Sequence, residues 1–226
     1  MKPIRVLVLF FLTVLLFIPR IHAAEVSLKL SGGRSFFKFQ NINRILDDWA
    51  VVEKKQIEAI SGWTYIGRNV SELRSGFDFA AEILVAVTSR IIVGIGAGYI
   101  YGELIEDKAA LTLETSVGTW LEVKPIKISA LPFIISGYYF FPLSSNSRLY
   151  VMGGAGPVWG KYIEREGWRL TTEDNFTYPS FQRTSGRGSI VLAGFGFEYA
   201  FELGMRIFFE GFGRMCQISD FQGESN

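Results

Sequence analysis

Apolar and polar side chains alternate along most of this chain with a period of two residues. Successive side chains of a β-strand point to opposite faces, so the alternation predicts strands with one apolar face each. Two further segments, 120–141 and 148–165, are apolar on both faces, and the pattern does not orient them. The sequence therefore predicts seven strands, at 25–33, 77–88, 91–101, 120–141, 148–165, 190–201 and 203–215.

The two faces of the alternating strands differ in size and charge. In one strand Phe195 and Phe197 share a face, and Gly194 and Gly196 share the other. Bulky apolar residues outside and glycine or charge inside are typical of a narrow barrel in lipid, because its interior accepts only small or paired polar side chains. We therefore predict an all-β, up-and-down antiparallel transmembrane β-barrel. Its candidate lumen-lining residues are Lys29, Asp78, Glu82, Glu198, Arg206, Glu210 and Arg214.

These inward charges leave two interpretations open. They can interlock as a salt-bridge plug, because buried charges are tolerated only when they pair. They can also line a polar path for small solutes.

The connections between the predicted strands differ in length by position. Short ones, at 89–90, 142–147 and 202, alternate with long ones, at 34–75, 104–118 and 166–185. This order is expected when one rim of a barrel carries tight periplasmic turns and the other rim carries extracellular loops.

The first long connection contains a second kind of periodicity. Apolar residues recur near helical spacing over 41–58, with charged residues between them, so we predict a short amphipathic helix in the first extracellular loop. Such a helix could lie on the membrane, cap the barrel mouth or dock a partner. The candidate loop-interaction residues are Ile42, Ile45, Leu46, Trp49 and Trp168.

The predicted strand count is odd, whereas single-chain bacterial barrels have an even number of strands. We therefore expect eight strands, of which seven are visible. The tail 216–226 is polar and predicts a loop. The hypothesis that follows is an eighth strand after residues 220–223, missing because the chain is truncated.

The N-terminus predicts an export signal. Lys2 and Arg5 precede the apolar run 6–18, which ends at Pro19, and Ala23 offers a small residue before a cleavage site. The alternative is an uncleaved anchor, but the run is shorter than the roughly 20 residues that a spanning helix needs. We therefore predict a signal peptide at 1–23, a barrel domain at 24–226, and residence in the cell outer membrane.

The charge and the histidine and cysteine content of the chain limit the functions that we expect of it. Lys2, Arg5 and Arg20 lie in the predicted signal, so 20 of the 23 basic residues remain against 22 acidic ones. No basic field is left to attract nucleic acid. The single histidine, His22, leaves with the signal, and Cys216 is the only cysteine. We therefore predict no enzyme, no cofactor and no metal site, because imidazole and clustered thiolates are the usual catalytic and metal-binding groups.

Four segments carry a family resemblance: GYIYGEL (98–104), LPFIISGYYFF (131–141), RLYVMGGAGPVWGKY (148–162) and GFGFEYAF (194–201). With them, most of 25–223 resembles the outer-membrane β-barrel superfamily that includes the OmpW-like and opacity-type barrels. The resemblance implies an eight-stranded fold, contact with outer-membrane lipid and insertion by the barrel-assembly machinery. It implies no ligand-binding residue, and the missing final strand departs from the family pattern.

Two functions follow as expectations. The first is a passive narrow channel, porin-like, or an uptake barrel for small or apolar molecules. The alternative is a non-transporting structural or surface-interaction barrel, which binds an extracellular partner through its long loops.

Overall fold

The computed structural model describes residues 25–36, 40–173, 175–202 and 204–225, so the predicted signal peptide lies outside the described residues. Within these ranges ten strands form one sheet, accompanied by one α-helix and one 3-10 helix. All strand pairs are antiparallel, which confirms the all-β prediction. The elements are β1 (Val26–Phe36), α1 (Gln40–Ala59), β2 (Thr64–Val70), β3 (Ser75–Ala86), β4 (Ile91–Leu104), η1 (Glu106–Lys108), β5 (Ala109–Thr115), β6 (Gly118–Val123), β7 (Ile126–Pro142), β8 (Ser147–Leu170), β9 (Thr177–Ala200) and β10 (Arg206–Ser225).

Seven of the strands form an up-and-down meander in the order β1-β3-β4-β7-β8-β9-β10. Three tight turns close one end of it. Their backbone hydrogen bonds run from Val87 N to Ile91 O (2.9 Å), from Leu143 N to Ser147 O (2.9 Å) and from Phe201 N to Met205 O (2.8 Å). The short connections therefore gather at one rim, as the sequence predicts.

The opposite end carries a second group of elements, which we call the upper tier: α1, β2, β5 and β6. Strand β8 outruns β7 and pairs through residues 167–170 with β6, which pairs with β5, which pairs with β2. The long connections predicted at 34–75, 104–118 and 166–185 therefore contain strands that the sequence did not predict: β2 in the first, β5 in the second, and the ends of β8 and β9 in the third. A strand that outruns its neighbour leaves backbone groups free, and these recruit further strands.

The predicted single strand 120–141 is also wrong, because the structure divides it into β6 and β7. Lys124 and Pro125 separate the two strands. Proline has no backbone N–H and its ring fixes φ, so it interrupts the ladder at this point.

The expected closed, eight-stranded barrel is not what the described residues form. The sheet has ten strands and is not closed, because β1 pairs with β3 alone and β10 with β9 alone. The tail predicted as a loop belongs to β10, where Ser225 pairs with Gln182 of β9. A ladder uses backbone groups, so the polar composition of the tail does not prevent it from pairing.

Helix α1 confirms the predicted amphipathic helix. Its Leu46 packs with Leu73, and its Trp49, Ala50 and Ile57 pack with the buried Leu111 and Leu113 of β5. Among the described residues, no helix combines the length and apolar character needed to cross a membrane.

Candidate functional site: the charged interior

The inner face of the meander holds a lysine surrounded by carboxylates. Lys29 of β1 lies opposite Glu82 of β3 in the ladder, and only 4% of it is exposed. Its Nζ is 3.9 Å from Glu82 Oε2 and forms an ion pair with Glu210 of β10. The Nζ also donates to the Tyr138 hydroxyl at 3.3 Å. Two carboxylates therefore compensate the buried cation.

Those two carboxylates extend the network to β7 and β8. Ser136 and Tyr138 of β7 both donate to Glu82, and Tyr150 of β8 donates to Glu210 at 2.5 Å. One hydrogen-bonded cluster therefore joins five strands, β1, β3, β7, β8 and β10. Such fully paired networks fix the arrangement of a core.

A glycine makes room for this cluster. Gly94 of β4 lies opposite Ser136 in the ladder. A Cβ at Gly94 would fall inside contact distance of Ser136 Oγ and Glu82 Oε1. The glycine pattern of β4 is therefore what allows Glu82 to bend toward β7.

Three more ion pairs lie in the interior among the described residues. Toward the upper tier, Arg214 of β10 pairs with Asp78 of β3. Toward the tight turns, Glu198 of β9 is 2% exposed and accepts from Arg148 Nε at 2.7 Å, and Arg206 Nε lies 3.8 Å away. Arg148 also stacks over the Phe140 ring, 3.9 Å from its centroid.

All seven sequence-derived lumen candidates thus lie on inner faces, and each has an oppositely charged partner. Four further residues of the inner faces were not predicted from the sequence: Ser136, Tyr138, Arg148 and Tyr150. They lie on β7 and β8, whose two apolar faces hid the orientation. The available signal was the polar group at every second position, Ser136 with Tyr138 and Arg148 with Tyr150.

Apolar side chains pack on the turn side and on the tier side of the charged cluster. On the turn side, Tyr138, Phe140 and Tyr150 pack with Leu84 and Ile92. On the tier side, Ile100, Ala130, Val158 and Ile190 pack together. Between them lies a cavity of about 70 Å³, lined in part by Lys29, Asp78, Glu82, Glu210 and Arg214. That volume holds a few water molecules.

The five loop-interaction candidates divide into two groups. Leu46 and Trp49 are buried, and Ile42 packs partly against the same core. Ile45 and Trp168 are exposed, at 45% and 42%. Trp168 packs edge-on against Trp120, with ring centroids 5.0 Å apart.

The upper tier also contains a group of three carboxylates, which we call the carboxylate cluster: Glu53 of α1, Glu122 of β6 and Glu166 of β8. One oxygen of each lies within 4.8 Å of the others. Burial raises the pKa of the Glu122 carboxyl to about 7, and the nearby Glu53 and Glu166 charges reinforce the shift. Burial, followed by the charge of Glu166, also raises the pKa of Glu53.

Two neighbours surround this cluster. Trp49 Nε1 donates to Glu166 at 2.9 Å. Lys124 Nζ pairs with Glu164 at 2.8 Å and lies 5.7 Å from the centroid of the Trp49 ring. Like charges at this spacing repel unless one of them is protonated. Because Glu53 belongs to α1, we expect the docking of this helix to depend on the protonation of the carboxylate cluster.

No protein-family model, curated protein or solved structure matches the chain. The geometry of the interior, the outer face and the upper tier is therefore what indicates a function.

Proposed function

We propose that this chain is a small outer-membrane β-barrel protein with a plugged interior, and that its upper tier binds a partner outside the membrane. One observation carries the membrane placement. A single ladder row crosses the outer faces of all seven meander strands, and every member is apolar: Leu28, Ile83, Ile95, Ile135, Ala155, Val191 and Met215.

This row belongs to a broad apolar surface that is largely exposed, although Ile83 itself is only 5% exposed. Leu30, Phe79, Phe195 and Phe209 lie on the same outer faces, with more than half of each side chain exposed. A soluble monomer rarely exposes contiguous apolar area of this extent. The meander strands have 11 to 24 residues, and about 9–11 residues of a tilted strand cross the hydrocarbon.

The interior supports a plug rather than a conducting path. The charges that could attract a solute are paired with one another, and the cavity beside them, of about 70 Å³, lies between two clusters of packed, largely apolar side chains. An ion that passed would have to break buried pairs and displace close-packed aromatic rings, both of which are costly. The charged cavity is the one feature that favours the narrow-channel alternative.

The upper tier supports partner binding. Three apolar side chains of α1, namely Ile45, Val51 and Val52, are close to half exposed although the helix is docked. Ile60, Trp63 and Ile66 continue this exposed surface along the chain into β2. Exposed apolar groups on a rigid element next to a membrane are typical of an interaction surface.

The experiment has two readouts on the purified chain. Solubility with and without detergent tests the membrane placement, and a monomer in plain buffer would contradict it. Single-channel recording in a planar bilayer tests the plug. We expect no steady conductance, whereas reproducible conductance steps would favour the narrow channel instead.

A further inference from the structure

Four basic side chains lie together on the outer surface of the meander. They occupy outer positions of β8 and β9, in step with Ala155 and Val191 of the apolar row: Lys161, Arg165, Arg183 and Arg187. Lys161 lies opposite Ser185 in the ladder, so Arg183 and Arg187 are its diagonal neighbours. Diagonal neighbours in an antiparallel ladder are about 7–8 Å apart. We call these four residues the basic patch.

The charge of the basic patch is not balanced by the side chains that the structure describes. No ion pair joins any of the four to a described carboxylate. Two acids of β10 are close in register, with Glu224 opposite Arg183 and Asp220 in the bulge after Ser219. Four basic residues therefore stand against two acidic ones. Like charges at this spacing repel each other, so the patch favours a further anion from outside the chain.

The basic patch lies where the outer surface changes from apolar to polar. Along the outer face of β9 no charge occurs from Tyr199 to Ser189, and the first is Arg187. Along the outer face of β8 the first charge beyond the tight turn is Lys161. The patch therefore borders the surface that the proposed membrane placement puts in contact with lipid.

Two aromatic pairs mark the height of this border. Tyr199 and Phe201 pack edge-on near the tight turns, with ring centroids 5.0 Å apart. Trp159 packs edge-on against Phe133 on the tier side, at 5.4 Å, and lies opposite Arg187 in the ladder. At a strand tilt of about 40°, the stretch of β9 from Tyr199 to Arg187 rises by about 30 Å, against an apolar band of about 25 Å in membrane barrels. Arg187 thus stands just beyond the hydrocarbon, at the level of lipid headgroups.

We propose that the basic patch binds the anionic phosphate headgroup of a lipid in the membrane leaflet on the tier side. An arginine can hold two oxygens of one phosphate, and a lysine adds a point charge. Basic residues at this depth attract anionic lipids. Ser129 and Ser185 flank Lys161 in the same ladder row, and their hydroxyls can donate further hydrogen bonds. The inference rests on the proposed membrane placement.

A lipid fits this surface better than a polyanion from solution does. The neighbouring outer surface is apolar, with Trp159 43% exposed and Val191 57% exposed. One ligand can therefore contact both surfaces if it has a charged head and an apolar tail. A nucleic acid or an acidic peptide has no tail to lie on the adjoining apolar surface.

The test uses the full chain reconstituted in phosphatidylcholine vesicles with a minor fraction of brominated lipid. The brominated lipid is either phosphatidylglycerol, whose headgroup is anionic, or phosphatidylcholine, whose headgroup has no net charge. Bromine on the acyl chains quenches tryptophan fluorescence on contact, and Trp159 is the tryptophan at this border. W159F should lose the quenching by lipid, which identifies the source of the signal.

We expect phosphatidylglycerol to quench Trp159 more strongly than phosphatidylcholine does at equal fractions. K161Q/R187Q should reduce this preference about tenfold. R44Q/K55Q removes two exposed basic residues from α1 instead, and K161R/R187K keeps both charges, so each should keep the wild-type preference. Inorganic phosphate in the buffer should not displace the lipid. If K161Q/R187Q does not insert, high salt replaces it, because screening should abolish the preference of the wild type.

Equal quenching by the two lipids would overturn the proposal. An unchanged preference in K161Q/R187Q or at high salt would also overturn it, as would an equal loss in R44Q/K55Q. Displacement by inorganic phosphate would mean that the patch takes up free anions rather than a lipid. Flotation of the vesicles on a sucrose gradient tests insertion separately. A chain that does not float contradicts the membrane placement, whereas a chain that floats without a lipid preference contradicts only the role of the basic patch.

Discussion

Lys29 of β1 pairs with Glu210 of β10 across the one boundary of the meander that has no backbone ladder. Elsewhere in the meander, hydrogen bonds between backbones hold neighbouring strands together. At this boundary the described residues are joined by side chains alone, and Lys29 also contacts Glu82 and Tyr138. The contact between β1 and β10 in this part of the chain therefore depends on side-chain ion pairs.

The first prediction concerns this lysine. In K29M the Glu82 and Glu210 carboxylates lose their buried cation, and removing one partner of a buried pair costs about 3–5 kcal/mol. We expect a loss of this size in the free energy of unfolding, measured by urea titration in detergent micelles.

The exposed pair Lys54–Glu58 on α1 supplies the control, because both side chains are about half exposed. K54A should change the free energy of unfolding by less than about 0.5 kcal/mol. Equal effects of the two substitutions would show that Lys29 is not buried in the folded protein.

A second prediction concerns the space that glycine leaves for Glu82. In G94A the new methyl group would collide with Ser136 and Glu82, and overpacking of this kind costs about 1–3 kcal/mol. G137A is the matched control on the neighbouring strand, because a Cβ at Gly137 meets nothing within 4 Å. The two urea midpoints should differ clearly, and coincident midpoints would contradict the described packing.

A third prediction tests the plug. Phe140 is 1% exposed in the aromatic layer, whereas its neighbour Phe141 points outward and is 47% exposed. F140A removes a close-packed ring, so we expect small conductance steps in a planar bilayer that the wild type and F141A lack. A difference in gel mobility between unheated and heated samples, equal to that of the wild type, would show that F140A still folds. If F140A folds but gives no conductance steps, the ion pairs alone are sufficient to close the interior.

The outer face gives a fourth prediction. Val191 is 57% exposed in the apolar ladder row of the outer face, and Val117 is 73% exposed in the turn between β5 and β6 of the upper tier. A basic residue facing the bilayer midplane costs about 2–4 kcal/mol. V191R should therefore reduce folding into lipid vesicles strongly, and V117R should not. Similar yields from both variants would argue against lipid contact at Val191.

The carboxylate cluster predicts a dependence on pH. The raised pKa of Glu122 means that the folded state holds this proton more tightly than the unfolded chain does. Unfolding therefore becomes easier as the pH rises from about 4.5 to about 7. We expect α1 to detach more readily at pH 8 than at pH 5, measured by amide exchange over 40–59 and by Trp49 fluorescence.

E122Q removes the titrating group, so its protection of α1 should change little between pH 5 and pH 8 and should exceed that of the wild type at pH 8. E58Q alters a carboxyl on the same helix outside the cluster and should keep the wild-type profile. If the protection of α1 in the wild-type protein is constant over this pH range, the proposed coupling between Glu122 protonation and the docking of α1 is wrong.

Much of the strand pattern could be predicted because it is local. A period of two is visible in any six or seven residues, so strands β1, β3, β4 and β10 and the second half of β9 could be predicted from the sequence, with the inner charges of β1, β3, β9 and β10. For β7 and β8, residues such as Phe140 and Phe141 are equally apolar on neighbouring positions. Their orientation depends on which face meets Tyr150 and Lys29, and only distant strands decide that.

The sequence by itself determined the alternation of small or charged with bulky side chains, the short turns at one rim and the amphipathic character of α1, because these features depend on residues close together in the chain. The tertiary structure decided the upper tier, the division at Pro125, the pairing of β10 along its length and, among the described residues, the absence of a ladder between β1 and β10. Each of these depends on which backbone groups far apart in sequence find a hydrogen-bond partner. The local pattern of side chains does not specify these partners.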